Sequence, residues 1–248
     1  MRLKDTGLTA AELKAQVKKY MIETYERMDF VADYAEGVYM YDENGEAYLD
    51  FYAGIAVNCL GNCNPKVVKA IQDQAATIMQ TFNYPYTVPQ AVLSKEICET
   101  IGMDKVLYQN SGAEANEAMI KMARKWGIEN IGPDALHIIT AKKSFHGRTF
   151  GAMTATGQPE SAIQKGFGDL TPGFTYADYN DLSPSRLLTL RARPALSCSS
   201  LFRARAACSP QLRSSSKASA HSATRRASCC ASTKFRLVGA AAATSCAT

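Results

Sequence analysis

Apolar residues recur at helical spacing in three stretches of the first hundred residues. Thr9 and Glu12 form a capping box before the first stretch, and Asn64 with Pro65 supplies an N-cap and a first-turn proline for the second. Gly102 marks the end of the third. The pattern therefore predicts three helices, over residues 10–28, 65–78 and 88–101.

A different pattern, alternation of apolar and polar residues, lies between the first two helices. Residues 37–41 and 47–51 alternate in this way and flank Asn44-Gly45. Asn-Gly between alternating segments is a strong signal for a short hairpin. This segment is therefore predicted to be a β-hairpin in a small N-terminal lobe.

Predicted strands and helices alternate along residues 106–156. Short apolar runs predict strands at Val106–Tyr108 and Leu136–Ile139. Helical spacing predicts a helix over Glu114–Trp126, ended by Gly127, and another over Arg148–Thr156. Strands that alternate with helices are typical of an α/β domain with a largely parallel sheet.

The composition of the chain changes after Asp181, its last acidic residue. The residues up to Leu182 carry 17 Lys and Arg against 23 Asp and Glu, whereas residues 183–248 carry 11 basic residues and no acidic one. The overall charge of +5 therefore describes neither part. The second part is rich in Ser, Ala and Arg with few aromatic residues, so we expect it to be disordered.

Membrane, disulfide and metal-binding classes find little support in the sequence. No apolar run is long enough to span a bilayer and no leader is recognisable at the N-terminus, so we expect a cytoplasmic protein. Cys59 and Cys63 have no nearby histidine or second cysteine pair to complete a metal site. We therefore predict no metal, and we expect these cysteines to be buried, reduced thiols.

The turn before the Glu114 helix is a candidate phosphate site. Ser111, Gly112 and Ala113 lie between a predicted strand and a predicted helix. The first amides of such a helix are unpaired, its dipole favours anions, and glycine lets a phosphate approach the backbone. A serine that simply caps an ordinary helix explains the same residues equally well.

A second candidate turn, residues 144–149, follows the Leu136–Ile139 strand and should emerge at the same carboxyl edge of the sheet, where ligands of open α/β sheets bind. Phe145 can stack on a planar ring, and Arg148 can hold a carboxylate through two parallel N–H bonds. His146 is a possible base, but a structural hydrogen-bonding role is favoured for a lone histidine in this setting.

These two motifs, residues 110–118 and 145–149, resemble the class III pyridoxal-phosphate (PLP) aminotransferases, most closely the acetylornithine/succinyldiaminopimelate branch. The resemblance extends over about residues 15–182 and departs at Asn62 and Asn64, where relatives usually have histidine. It implies the α/β fold-type I PLP-dependent transferase class (aspartate aminotransferase-like), with a small N-terminal lobe and a truncated large domain. It further implies that Ser111, Gly112 and Ala113 bind the cofactor phosphate, that Phe145 stacks on the pyridine ring, and that Arg148 binds the substrate carboxylate.

The same resemblance implies domains, substrates and partners. Residues 1–65 are expected to form the helix and hairpin segment of the small lobe, 66–182 the first part of the PLP-binding large domain, and 183–248 the basic tail. The implied reaction is transamination of acetylornithine or a related ω-amine with 2-oxoglutarate, in arginine or lysine biosynthesis. The implied partners are amino-acid and oxo-acid substrates and, for an intact member, a second subunit in a homodimer; no membrane and no specific nucleic acid are expected.

The family's ring-nitrogen aspartate and its cofactor-binding lysine are both missing, so no catalytic residue is assigned. Segments 200–208 and 232–238 can be spelled so that the same one-base shift encodes two motifs of this family, at the family's spacing. We therefore interpret residues 183–248 as an out-of-frame translation and expect this chain to be inactive. The alternative is a non-catalytic remnant whose basic tail associates nonspecifically with nucleic acid; an organelle-targeting tail is disfavoured because such signals stand at the N-terminus.

Overall fold

The computed structural model describes residues 1–178 and the two-residue strand Leu196–Ser197. The helices are α1 Ala10–Tyr20, α2 Ala53–Ala56, α3 Pro65–Thr77, α4 Val88–Ile101, α5 Gly112–Asn130 and α6 Phe150–Ala155. The strands are β1 Ala32–Glu36, β2 Tyr39–Asp42, β3 Ala47–Leu49, β4 Ile138–Ala141, β5 Phe174–Ala177 and β6 Leu196–Ser197. The predicted disordered tail includes β6, so the prediction of disorder is wrong for Leu196 and Ser197, whose backbone pairs with β4. The rest of the tail, and with it the predictions of out-of-frame translation and nucleic-acid association, lies outside the described residues.

The chain divides into two compact units, and the described part of the first ends at Thr100 while the second begins at Ile101. The predicted domain division after residue 65 refers to the lobes of the intact family fold and stays a prediction. Among the described residues, no helix has both the length and the apolar character needed to cross a bilayer.

The first unit contains a three-stranded antiparallel sheet in the order β1-β2-β3. The predicted hairpin is confirmed: β2 and β3 pair with Met40 opposite Tyr48, and Asn44-Gly45 lies in the turn. Gly45 adopts a φ of +83°, which a glycine reaches without steric cost. Strand β1 was not predicted, because its sequence of Ala, Asp, Tyr, Ala and Glu carries little apolar alternation.

Two of the three helix predictions in this unit are confirmed and one is too long. Asn64 caps α3 by accepting a hydrogen bond from the Lys66 amide at 3.0 Å, and α4 ends directly before Gly102. Thr9 and Glu12 form the predicted capping box of α1. This helix ends at Tyr20 instead of Met28, and the β-branched residues Ile22 and Thr24 that follow disfavour its continuation.

The hairpin turn is organised by the carboxylate of Asp42, which is only 4% exposed. Its Oδ1 accepts hydrogen bonds from the amides of Asn44 at 2.9 Å and Glu46 at 2.8 Å. Burial by itself raises the pKa of Asp42, but the bonds from the Glu46 and Asn44 amides outweigh it and lower the pKa below its ordinary value.

Acidification is therefore expected to weaken this turn. Because the pKa of Asp42 is lower in the folded state, its stabilising effect is complete above the unfolded value and is lost as the pH falls through the folded one. Amide hydrogen exchange at Asn44 and Glu46 should accelerate below about pH 4, beyond the intrinsic pH dependence of exchange. In Asp42→Asn this extra pH dependence should disappear; if it persists, another group controls the turn.

The second unit contains a parallel sheet in the order β5-β4-β6 and, among the described residues, the hydrophobic core. Ile138 of β4 pairs with Phe174 of β5 and with Leu196 of β6. The core joins Ile120 and Ala123 of α5 to Ile138 of β4 and to Ala155 of α6, with Met119 and Phe174 packed against it. The predicted α/β class with a parallel sheet is confirmed.

Two predictions in this unit are wrong. Val106–Tyr108 is not a strand, since no strand among the described residues pairs with it. Gly127 does not end the predicted helix but lies buried inside α5, which continues to Asn130. The glycine is needed there for packing, because a Cβ at this position would collide with the carbonyl oxygen of Ala135.

The expectation of buried thiols at Cys59 and Cys63 is also wrong. Both cysteines are exposed. They lie in the irregular segment between α2 and α3, which contains no buried residue. Within the described part of the chain, no group of three or more His, Cys, Asp and Glu side chains is arranged to hold a metal ion.

Candidate functional site

Ser111 begins helix α5 as its N-cap. Its backbone is extended, with φ of −148°, and its Oγ accepts a hydrogen bond from the Glu114 amide at 3.2 Å. Ser111 and Gly112 are exposed at the start of this 19-residue helix. Capping and phosphate binding use the same geometry, and the structure provides it at the predicted residues.

The carboxylate of Glu114 lies at this helix start. Its two oxygens accept hydrogen bonds from Ser111 Oγ at 3.1 Å and from Asn110 Nδ2 at 3.3 Å. A carboxylate at the first turn is favoured by the helix dipole, as an incoming phosphate would be. A phosphate bound at Ser111 must therefore replace Glu114 as the partner of the hydroxyl.

The second candidate turn follows β4 and precedes α6. Phe145 is half-buried and Arg148 is exposed, and the guanidinium carbon of Arg148 lies 5.5 Å from the centre of the Phe145 ring. This distance is within the range of a cation–π contact. The side chains expected to face the cofactor ring and the substrate carboxylate are thus neighbours.

Direct packing joins the two turns. Gly147 adopts a φ of +135°, and a Cβ at this position would lie 2.6 Å from the Cβ of Ala113 and 2.8 Å from its Cα. In addition, Asn116 Nδ2 donates a hydrogen bond of 2.5 Å to the carbonyl oxygen of His146. The structure therefore brings the Ser111–Ala113 turn and the Phe145–Arg148 turn against each other, at the carboxyl side of β4.

His146 is only 1% exposed. Its amide donates a hydrogen bond to Thr156 Oγ1 at 3.1 Å, and its carbonyl accepts the bond from Asn116. These bonds tie the residue to α5 and to the end of α6. Both bonds are made by the backbone of His146, so the structural role that the sequence favoured for its side chain stays a prediction.

Several polar residues that the sequence reasoning did not assign hold the second turn in place. The Ser144 hydroxyl has one hydrogen to donate, and its Oγ lies 2.6 Å from the carbonyl oxygen of Ala141 and 3.1 Å from that of Thr156. Gln158 Nε2 donates to the Ser144 carbonyl at 2.6 Å. Because buried polar groups are stable only when they are paired, this network limits the conformations of the turn. The signal available for Thr156 and Gln158 was their presence in a stretch that resembles the family.

These residues fit a phosphorylated aromatic cofactor. The exposed start of α5 offers a hydroxyl and amides to a phosphate, and the half-buried ring of Phe145 offers a flat surface. Arg148 adds a positive charge beside that ring. None of these groups requires a metal ion to contact such a cofactor.

Comparison with known proteins identifies the family. Residues 20–203 match the family described as aminotransferase class-III. An acetylornithine aminotransferase from Caldanaerobacter subterraneus subsp. tengcongensis is 49% identical over 165 residues, which cover 66% of this chain and 42% of that relative. The chain thus spans less than half the length of the relative.

Solved structures give the same result for the fold. The ornithine aminotransferase from Toxoplasma gondii ME49 superposes with a TM-score of 0.84 at 26% identity, over 92% of this chain and 54% of that one. A second structure of the T. gondii enzyme, with a TM-score of 0.82 at 26% identity over 90% of this chain and 53% of that one, has PLP at partial occupancy in its active site. The α/β fold is therefore the fold-type I class of PLP-dependent aminotransferases, and the chain belongs to the class-III aminotransferase family.

Proposed function

We propose that this chain is the N-terminal part of a PLP-dependent aminotransferase that transfers an amino group from acetylornithine, or a related ω-amine, to 2-oxoglutarate. The observation that supports this proposal is the packing of Gly147 against Ala113, because the two candidate turns approach each other closely there. The relative's name supports acetylornithine as the amino donor. The resemblance of the sequence to the family suggests arginine or lysine biosynthesis as the setting. By family, a homodimer is proposed for an intact member.

The proposed roles follow from the chemistry of each group. Ser111, Gly112 and Ala113 bind the cofactor phosphate through the Ser111 hydroxyl and the first amides of α5. Phe145 stacks on the pyridine ring, and Arg148 binds the substrate carboxylate with its guanidinium fork. When bound, PLP supplies an electron sink for removal of a proton from the carbon that carries the amino group.

For the 248-residue chain itself we propose cofactor binding without turnover. The residues that recognise phosphate and ring lie before Leu182, whereas the family's cofactor-binding lysine and its aspartate partner are absent from the sequence. Binding and catalysis can therefore be tested separately, the first with a ligand that needs no lysine.

Pyridoxamine 5′-phosphate is such a ligand, because it carries an amine where PLP has an aldehyde. We expect the chain to bind it at least about tenfold more tightly than pyridoxamine, since hydrogen bonds to a charged phosphate each contribute about 1.5–3 kcal/mol. Ser111→Gly should weaken the phosphorylated compound about tenfold and leave pyridoxamine unchanged, because glycine keeps most of the N-cap preference while removing the hydroxyl. Quenching of ligand fluorescence measures both affinities.

Ser94→Ala provides a control for this substitution. Ser94 lies within α4, and its hydroxyl donates to the Gln90 carbonyl one turn earlier, as is common for a helical serine. Its loss should change neither affinity. Equal affinity of the unmodified chain for the two compounds would contradict the proposed function.

A further inference from the structure

Glu117 reaches from helix α5 to the start of helix α6. Its Oε1 accepts a hydrogen bond from Thr149 Oγ1 at 2.7 Å and a second from the Ala152 amide at 3.0 Å. Thr149 is the N-cap of α6 but makes no capping bond with its own side chain. The acceptor that the helix start requires is therefore supplied by a different helix.

Gly151 leaves room for the carboxylate of Glu117. A Cβ on Gly151 would lie 2.5 Å from Glu117 Oε2, so the absence of a side chain at this position makes room for the carboxylate. A negative charge at a helix start is favoured by the helix dipole. Helix α6 has only six residues, so little of its stability comes from its own hydrogen bonds.

Hydrogen bonds of Asn116 and Glu117 hold the second candidate turn near both of its ends. Asn116 holds the carbonyl of His146 near one end of the turn, and Glu117 holds Thr149 directly after Arg148 at the other. Both anchors come from consecutive residues of α5, the helix whose first turn is the candidate phosphate site. The positions of Phe145 and Arg148 relative to that site thus depend on α5 at both ends of the turn.

We propose that Glu117 is a positioning residue: through Thr149 and the Ala152 amide it holds Phe145 and Arg148 in place for a cofactor whose phosphate is bound at the start of the same helix. The proposal rests on the proposed function, since it gives Glu117 a role toward that ligand. Glu117 itself does not bind the cofactor or the substrate; it fixes the turn that does.

The test compares two substitutions in the 248-residue chain. Glu117→Gln retains an oxygen acceptor for Thr149 and Ala152, whereas Glu117→Ala removes it. Glu117→Ala should bind pyridoxamine 5′-phosphate about tenfold more weakly than the unmodified chain, because a misplaced ring site loses its contribution to binding. Glu117→Gln should restore the affinity to within about threefold, and inorganic phosphate should bind all three forms alike, because the start of α5 is unchanged.

Two further variants separate positioning from stability. Glu129→Ala removes an exposed carboxylate from the same helix, 3.8 Å from Lys125, and should leave the affinity unchanged. Thr149→Ala removes one of the two bonds to Glu117 and should produce a smaller loss than Glu117→Ala. In Thr149→Ala, hydrogen exchange at the Ala152 amide should accelerate together with the loss of affinity. If Glu117→Ala does not fold, Thr149→Ala serves as the test in its place.

The outcomes distinguish this proposal from the one on which it rests. If the unmodified chain binds pyridoxamine and its phosphate equally, the proposed function fails and the role of Glu117 fails with it. If the unmodified chain selects the phosphorylated compound but Glu117→Ala, or Thr149→Ala in its place, binds it equally well, the positioning role alone is overturned. Failure of Glu117→Gln to restore binding would also overturn it, because a retained acceptor would then be insufficient.

Discussion

A version of this protein with the reading frame restored after Leu182 is expected to transaminate acetylornithine, and the 248-residue chain is expected to show no detectable activity. The residues after Leu182 contain two lysines, Lys217 and Lys234, in Ser-, Ala- and Arg-rich sequence that does not resemble the family. A covalent step needs its nucleophile held within bonding distance of the cofactor, and neither lysine lies in a family motif. The expected difference in rate is on the order of 10⁴-fold or more.

Formation of glutamate from 2-oxoglutarate measures this difference directly. Sequencing the coding DNA across codons 178–190 locates the proposed shift and supplies the restored version. Glutamate production by the unmodified chain, dependent on added PLP and abolished by borohydride treatment that links the cofactor to a lysine before Leu182, would show that the missing family lysine has been replaced.

Gly147→Ala is expected to destroy the candidate site. The substitution places a Cβ 2.6 Å from that of Ala113 and 3.1 Å from that of Ala152, and it does so at a φ of +135°. Overpacking in a tightly packed position costs about 1–3 kcal/mol, and a strained backbone conformation adds about as much again. Binding of pyridoxamine 5′-phosphate should fall by more than about tenfold, with faster amide exchange at Ala113 and Ala152.

A matched control separates steric overlap from backbone strain. Gly132 adopts a similar φ of +144°, but a Cβ there would have no atom within 4 Å. Gly132→Ala therefore carries the strain without the collision and should leave ligand binding unchanged. Equal effects of the two substitutions would show that contact between Gly147 and Ala113 does not determine the site.

Local signals predicted most of the elements. The capping box at Thr9, the N-cap at Asn64 and the Asn44-Gly45 turn each act over a few residues, and each lies where the sequence placed it. The predicted strand at Val106–Tyr108 is absent, because a strand exists only when a neighbour pairs with it. The β-propensity of its residues does not supply that neighbour.

The candidate site was predictable in its residues but not in its assembly. The sequence identified Ser111 and Arg148 from their side-chain chemistry and from family resemblance. It did not reveal that Glu117 bonds to Thr149, 32 positions away, or that Gly127 admits the Ala135 carbonyl. These relations depend on how α5 packs against α6 and the loop before β4, which no local pattern encodes.

The hydrogen bonds between Ser111 and Glu114 bear on whether α5 forms before or after cofactor binding. Ser111 Oγ already accepts the hydrogen bond of the Glu114 amide and donates one to the Glu114 carboxylate, so the first turn of α5 is capped before any ligand arrives. Helix α5 therefore does not require a bound phosphate in order to begin at Ser111. A newly made chain can form the candidate phosphate site before the cofactor binds. Under the proposed function, cofactor binding exchanges one anion for another, and the affinity then reports how much better a phosphate dianion suits this turn than the carboxylate that it displaces.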